Sequence, residues 1–107
     1  DEVGTLSKFA LAQAKAADGK HDESAQLYQQ LAAESDPIIA KESINFALAG
    51  VYEKQGRKDD AVKVLYDLVK AASDAKDKDG KPVPPSATAQ EARTKLEELA
   101  PEKAKEI

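Results

Sequence analysis

A chain of 107 residues with 16 basic and 20 acidic side chains, a net charge of −4 and no cysteine is already bounded in what it can be. Its length suits one domain that buries roughly two thirds of its unfolded surface. The mixed charge argues against a nucleic-acid surface, which is basic, the lack of cysteine excludes disulfide and thiolate chemistry, and no apolar run approaches the ~18 residues that cross a bilayer.

From Val3 to Ala17 the chain is rich in Ala, Leu, Lys and Gln, strong helix formers. Val3, Leu6, Phe9, Ala10, Ala14 and Ala17 fall at steps of three and four and predict one apolar helix face. Asp18-Gly19 ends that helix, because glycine enters the left-handed conformation without a Cβ penalty. A second helix follows, with Asp22 and Glu23 in its first turn, where the helix dipole favours carboxylates. Its stripe is Ala25, Leu27, Tyr28, Leu31 and Ala32. Ser35-Asp36-Pro37 reads as a stop and a new start, with Asp36 as N-cap and Pro37 at the first helical position.

The third helix is expected over about 37–55 through Ile38, Ile39, Ile44, Ala47, Leu48, Val51 and Tyr52. Gly56 closes it, and a fourth helix covers about 58–75. The stretch Asp74–Ser86, DAKDKDGKPVPPS, cannot be helical through Pro82, Pro84 and Pro85 and is expected to be a mobile connection. A fifth helix is expected over about 86–99, capped by Ser86 or Thr88, with Thr88 and Glu91 spaced as a capping box. Its face is Ala89, Ala92, Leu96 and Leu99, and residues 100–107 read as a polar, fraying tail. No segment alternates with period two, so no sheet is expected.

Two of these stretches are the same stretch. FALAQAKAADGKHDESAQLYQQL, Phe9 to Leu31, aligns without a gap on FALAGVYEKQGRKDDAVKVLYDL, Phe46 to Leu68, at an offset of 37 residues. Phe9/Phe46, Ala10/Ala47, Leu11/Leu48, Ala12/Ala49, Gly19/Gly56, Asp22/Asp59 and Leu31/Leu68 are identities. A period of this size is the mark of a stacked helical repeat. Small residues at Ala12/Ala49 and Ser24/Ala61 let paired helices approach, and large ones at Tyr28/Leu65 fill the groove.

With Leu11-Ala12 and Leu48-Ala49, an aromatic at Tyr52, Gly19 and Gly56 between helices, and Ser24/Ala61 under Tyr28/Leu65, the chain resembles the tetratricopeptide repeat. It departs from that pattern at Lys15, at Leu31 and Leu68, and at Pro37, one residue late. The resemblance implies an all-α fold of two helical hairpins, about 5–36 and 37–73, a loop over 74–85 and a closing helix over 86–99, wound as a right-handed superhelix. It also implies a non-catalytic protein-interaction module whose first helices line a concave face. On that face fall Leu6, Phe9, Gln13 and Ala16, then Ser43, Phe46, Gly50 and Glu53. Phe9 and Phe46 are expected to form one apolar patch for a peptide, a partner helix or a second copy, or else to be covered as packing. The wording of the repeats is also similar to bacterial envelope proteins with a membrane anchor ahead of periplasmic repeats. That implies a periplasmic or envelope location, the cytoplasm being the alternative, with no direct membrane contact by this segment. A chain without methionine, position 1 included, reads as a processed or excised piece of a longer product.

Catalytic signals are sparse. His21 is the single histidine and is read as solvated, with Asp22 and Glu23 as first-turn carboxylates rather than its orienting partners. No nucleophile motif, phosphate loop or zinc cluster is present, and no cofactor or metal is expected. Asp77-x-Asp79-Gly80 imitates the middle of an EF-hand loop, but Ala75 and Ser86 occupy its first and twelfth positions, which need carboxylates. Asp60–Lys63 and Glu91–Lys95 read as surface ion pairs. The alternative to a scaffold is an accessory domain of a hydrolase or a metal-dependent enzyme.

Overall fold

Two helix-ending glycines set the geometry. In the computed structural model, which describes residues 2–34 and 40–107, Gly19 has φ 80° and Gly56 has φ 76°. Around Gly19 the Lys20 N–H reaches back to Lys15 O and the Gly19 N–H to Ala16 O, at 2.8 and 3.1 Å. Around Gly56 the Arg57 N–H reaches Tyr52 O and the Gly56 N–H Glu53 O, at 2.8 and 3.0 Å. Both are Schellman closures, one 37 residues after the other, and both satisfy the last carbonyls of a helix while reversing the chain.

These turns join α1 (Glu2–Ala17) to α2 (His21–Ala33) and α3 (Lys41–Lys54) to α4 (Lys58–Asp74). α2 and α4 start without a side-chain cap. Asp22 and Glu23 in the one, and Asp59 and Asp60 in the other, occupy the first turn and meet the positive end of the dipole instead. α5 (Ala87–Leu99) and α6 (Pro101–Ala104) complete an all-helical chain. Each helix packs on the next, and α3 also touches α5. The result is a slab of 39 × 32 × 18 Å.

The core follows the repeat. Ala12 and Ala49 are fully or almost fully buried, as are Ser24 and Ala61 beneath them. Tyr28 and Leu65, then Leu31 and Leu68, stack along the same seams. Ser24 Oγ donates to Ala12 O at 2.7 Å, so the one polar group at this crossing is satisfied. Between the pairs, Gln29 of α2 donates to the Tyr52 hydroxyl of α3 at 2.7 Å, and the Gln55 amide donates to Asp22, tying the two turns together. Arg57 lies 4.5 Å from the Tyr52 ring centroid and 2.8 Å from Asp60.

Several expectations are corrected. The apolar stripe expected on α1 is not its buried face: Val3 is 75% and Leu6 50% exposed, and Ala10, Ala14 and Ala17 are exposed too. The buried line is Thr5 and Ala12, with Phe9 and Ala16 packed against the core. Those positions face α2 because Ala12 must meet Ser24. Residues 38 and 39 and the expected cap at 35–37 lie outside the described residues. α5 is capped by Ser86, whose Oγ accepts from the Ala89 N–H at 3.0 Å, and not through Thr88 and Glu91.

The polar tail forms α6, the sixth helix among the described residues where five were expected, with Pro101 in its first turn and Ala104 buried. The connection 75–86 is held. Asp77 Oδ1 accepts from the N–H groups of Asp79 and Lys81, and the Val83 N–H donates to Ala75 O at 3.0 Å. Lys76 and Pro82 form an antiparallel bridge. Asp60 pairs with Arg57, and Lys95 with Glu53 and Glu98, in place of the pairs expected with Lys63 and Glu91.

Replacing Ala61 by Leu forces extra volume into a fully buried crossing, and such overpacking costs about 1–3 kcal/mol. A thermal melt should fall by roughly 4–8 °C per kcal/mol for a domain of this size. An unchanged melt would mean that the crossing is loose. Burial also pushes the Tyr28 phenol above its ordinary 10.0. The folded state therefore holds that proton more tightly, a contribution intact below the unfolded pKa and lost as pH rises through the folded one. Above about pH 10, urea titrations should show wild type losing more stability per pH unit than Tyr28→Phe.

Candidate functional site

The two repeat units differ at the buried pair Tyr28/Leu65, and a cavity follows from the difference. In the first unit Tyr28 lies beneath Phe9, ring centroids 5.8 Å apart and planes at 71°. That edge-on contact fills the space between α1 and α2. In the second unit the partner of Phe46 is Leu65, which is fully buried but has no ring to reach outward. A cavity of about 180 Å³ opens there, its walls formed by Phe46, Ala47, Ala49, Gly50 and Glu53 of α3, with Leu65 as floor. Lys95 of α5 closes the far side.

Phe46, Gly50 and Glu53 share a face because they sit at i, i+4 and i+7 of one helix. At Gly50 an added Cβ meets nothing within 4 Å, so the missing side chain is what keeps the mouth open. At the equivalent place in the first unit stands Gln13, exposed. The polar rim is one ion pair, Glu53 Oε2 to Lys95 Nζ at 3.5 Å, and Lys95 also approaches Glu98 at 4.0 Å. Glu53 Oε1 is buried and has no hydrogen-bond partner. A buried carboxylate oxygen without a donor costs free energy, and a ligand N–H or O–H would relieve it.

Of the residues expected on the concave face, Phe46, Gly50 and Glu53 come together. Leu6 is half exposed on α1, Gln13 is exposed, and neither they nor Ser43 lines the cavity. Phe9 is packed edge-on against Tyr28, so the two phenylalanines do not line one cavity. Sequence reasoning missed Lys95, which lies on a helix outside the 37-residue register. It also missed the consequence of Leu65, although the Tyr28/Leu65 pair was visible at that offset.

Other chemical groups are placed differently. His21 lies beside Gly19, Lys20, Asp22, Glu23 and Gln55 in an open cleft, half-buried, with Nδ1 unpartnered. Asp22 is engaged by Gln55 and Glu23 by Lys15 at 3.5 Å, so neither carboxylate orients the imidazole. The Asp77 carboxylate is used inside its own turn. Among the described residues no group of three His, Cys, Asp or Glu side chains is arranged to hold a metal ion, and no helix is long and apolar enough to cross a membrane.

Comparison of the chain with protein-family models, with curated proteins and with solved structures returns no match.

The open side of Gly50 makes one stability outcome specific. Gly50→Ala gains about 0.8–1.0 kcal/mol of helix propensity with no contact to displace. The melting temperature should rise by roughly 4–8 °C. A fall would show that the glycine serves a close approach.

Proposed function

We infer that this chain is a protein-interaction scaffold of the tetratricopeptide-repeat type, two helical hairpin units and a closing helix wound as a right-handed superhelix. It holds a partner peptide or partner helix across α3 and α5. The repeated Schellman turns and the repeated burial of Ala12/Ala49 and Ser24/Ala61 support the repeat reading. The wording of the repeats supports a place in the bacterial cell envelope, as a module of a larger protein.

The observation that carries the binding reading is the cavity beside Phe46 with its unpartnered carboxylate oxygen. A void of about 150 Å³ lined by aliphatic and aromatic groups holds a benzene ring, so about 180 Å³ takes one apolar side chain of a partner. Phe46 supplies an aromatic wall, and aromatic anchors commonly dominate binding energy. Glu53 Oε1 would accept from an N–H or hydroxyl on the partner one turn or one residue away, and Lys95 fixes the orientation of that carboxylate. Main contacts of this kind suit an amphipathic helix laid in a groove or an extended peptide with one deep side chain.

Gly50→Leu tests the reading without removing any existing contact. Peptides selected from a displayed random library on the wild-type chain should lose at least about tenfold in affinity, roughly 1.4 kcal/mol, on Gly50→Leu. The variant should melt no lower than wild type, because leucine shares the helix-propensity gain over glycine. Selected peptides that bind both chains equally would place the interface elsewhere.

A further inference from the structure

α5 has a second cavity on its other side. Residues two apart on a helix are turned by about 200°, so Arg93 points away from the groove that Lys95 closes. There a cavity of about 280 Å³ lies between α4, α5 and the proline-bearing connection. Val69, Ala72 and Ala89 make an apolar floor, and Pro82 and Val83 make the roof. The roof is fixed by the Lys76–Pro82 bridge and by the Val83 N–H to Ala75 O bond at 3.0 Å. Val83 still turns 40% of its surface to solvent at the lip.

Polar groups are confined to the rim. Ser73 and Gln90 stand there, and Gln90 Nε2 is occupied with Pro85 O at 3.2 Å. Arg93 is the one charged side chain of the lining, and it makes no hydrogen bond or ion pair among the described residues. Glu42 of α3, outside this lining, accepts from Ser86 Oγ at 2.8 Å.

We propose that this cavity is a binding site for a free short-chain aliphatic carboxylate, with the hydrocarbon between α4 and the proline roof and the carboxylate on Arg93. Guanidinium and carboxylate match in charge and in planar, two-point hydrogen bonding. The walls select against a peptide. The prolines of the roof bring no N–H, and Val69, Ala72 and Ala89 of the floor carry no polar side-chain atom, so peptide amides seated deep between roof and floor are left without partners there. A hydrocarbon tail needs none. The volume suits a ligand of about ten heavy atoms, scaled from the benzene-sized void of about 150 Å³.

The probe is sodium octanoate, titrated into the full chain while amide proton and nitrogen shifts are followed. Octanoate should move the amides of Ser73, Val83, Ala89, Gln90 and Arg93 saturably, with a Kd near the millimolar range. Arg93→Gln should weaken it about tenfold, whereas the neutral octan-1-ol should bind wild type and variant alike. Ala72→Leu, which fills the floor, should abolish both ligands. No saturable shift at these residues, or equal octanoate affinity with and without Arg93, overturns the proposal. N-acetyl-leucine offers the same carboxylate on a peptide-like body. If it binds about tenfold tighter than octanoate, the site is for a peptide end and the free-acid assignment fails. Gly50 and Phe46 are untouched here, so the outcome is independent of the α3–α5 groove.

Discussion

Everything in this chain rests on how closely two helices can approach at a crossing of small residues. Ala12 over Ser24 and Ala49 over Ala61 leave nothing larger than a methyl or hydroxymethyl group between the backbones. Dispersion and apolar burial are then gained along the whole seam, through Leu31 in the first unit and Leu65 and Leu68 in the second. Each such leucine contributes about 1.5–3 kcal/mol on burial, but only if the crossing is tight enough to exclude water around it. Ser24 shows the tolerance of the arrangement. A hydroxyl fits where the second unit has a methyl because it finds the Ala12 carbonyl at 2.7 Å.

The same crossing decides which parts of the surface stay apolar. Once Ala12 faces α2, the line Thr5–Phe9–Ala12–Ala16 is committed inward, and Val3, Leu6, Ala10, Ala14 and Ala17 are carried outward. In an alanine-rich helix both lines look apolar, so periodicity alone had no means of choosing between them. The choice is made by packing against a second helix, which is tertiary information.

What was legible was whatever repeats. Gly19 and Gly56 are readable as helix ends because only a left-handed backbone closes the helix this way, and both take it. The small positions are readable because an offset of 37 residues returns a small residue at each. The connection 75–86 was harder. Its prolines rule out helix, but its order comes from Asp77 accepting two backbone N–H groups and from one bridge, a local hydrogen-bond pattern with no periodic signature. α6 was hidden for a related reason: in PEKAKEI one alanine, Ala104, is buried, and nothing in a polar heptapeptide marks that residue. Half of the candidate site was in view, since Phe46, Gly50 and Glu53 share a helix face. Lys95 was not, because its place depends on how α5 docks.

The docking of α5 is the step that opens a cavity on each of its two flanks. α5 is seated on α4 by Ala89, Ala92 and Leu96, a narrow buried stripe with small residues over its first two turns. Small residues bring the helix axis close, yet they leave the space on either side of the stripe unfilled. On one flank the unfilled space meets the position where Leu65 replaces the aromatic of the first unit, and the groove beside Phe46 results. On the other it meets a connection whose prolines hold it off the helices while its turn prevents collapse, and the cavity beside Arg93 results. Both openings thus trace to the residues that are absent from a well-filled core: a tyrosine ring in α4, and branched side chains at the start of α5. Each has a single basic residue of α5 at its edge. Lys95 is already paired with Glu53, whereas Arg93 is unpaired, so the first cavity offers a hydrogen-bond acceptor and the second offers a cation.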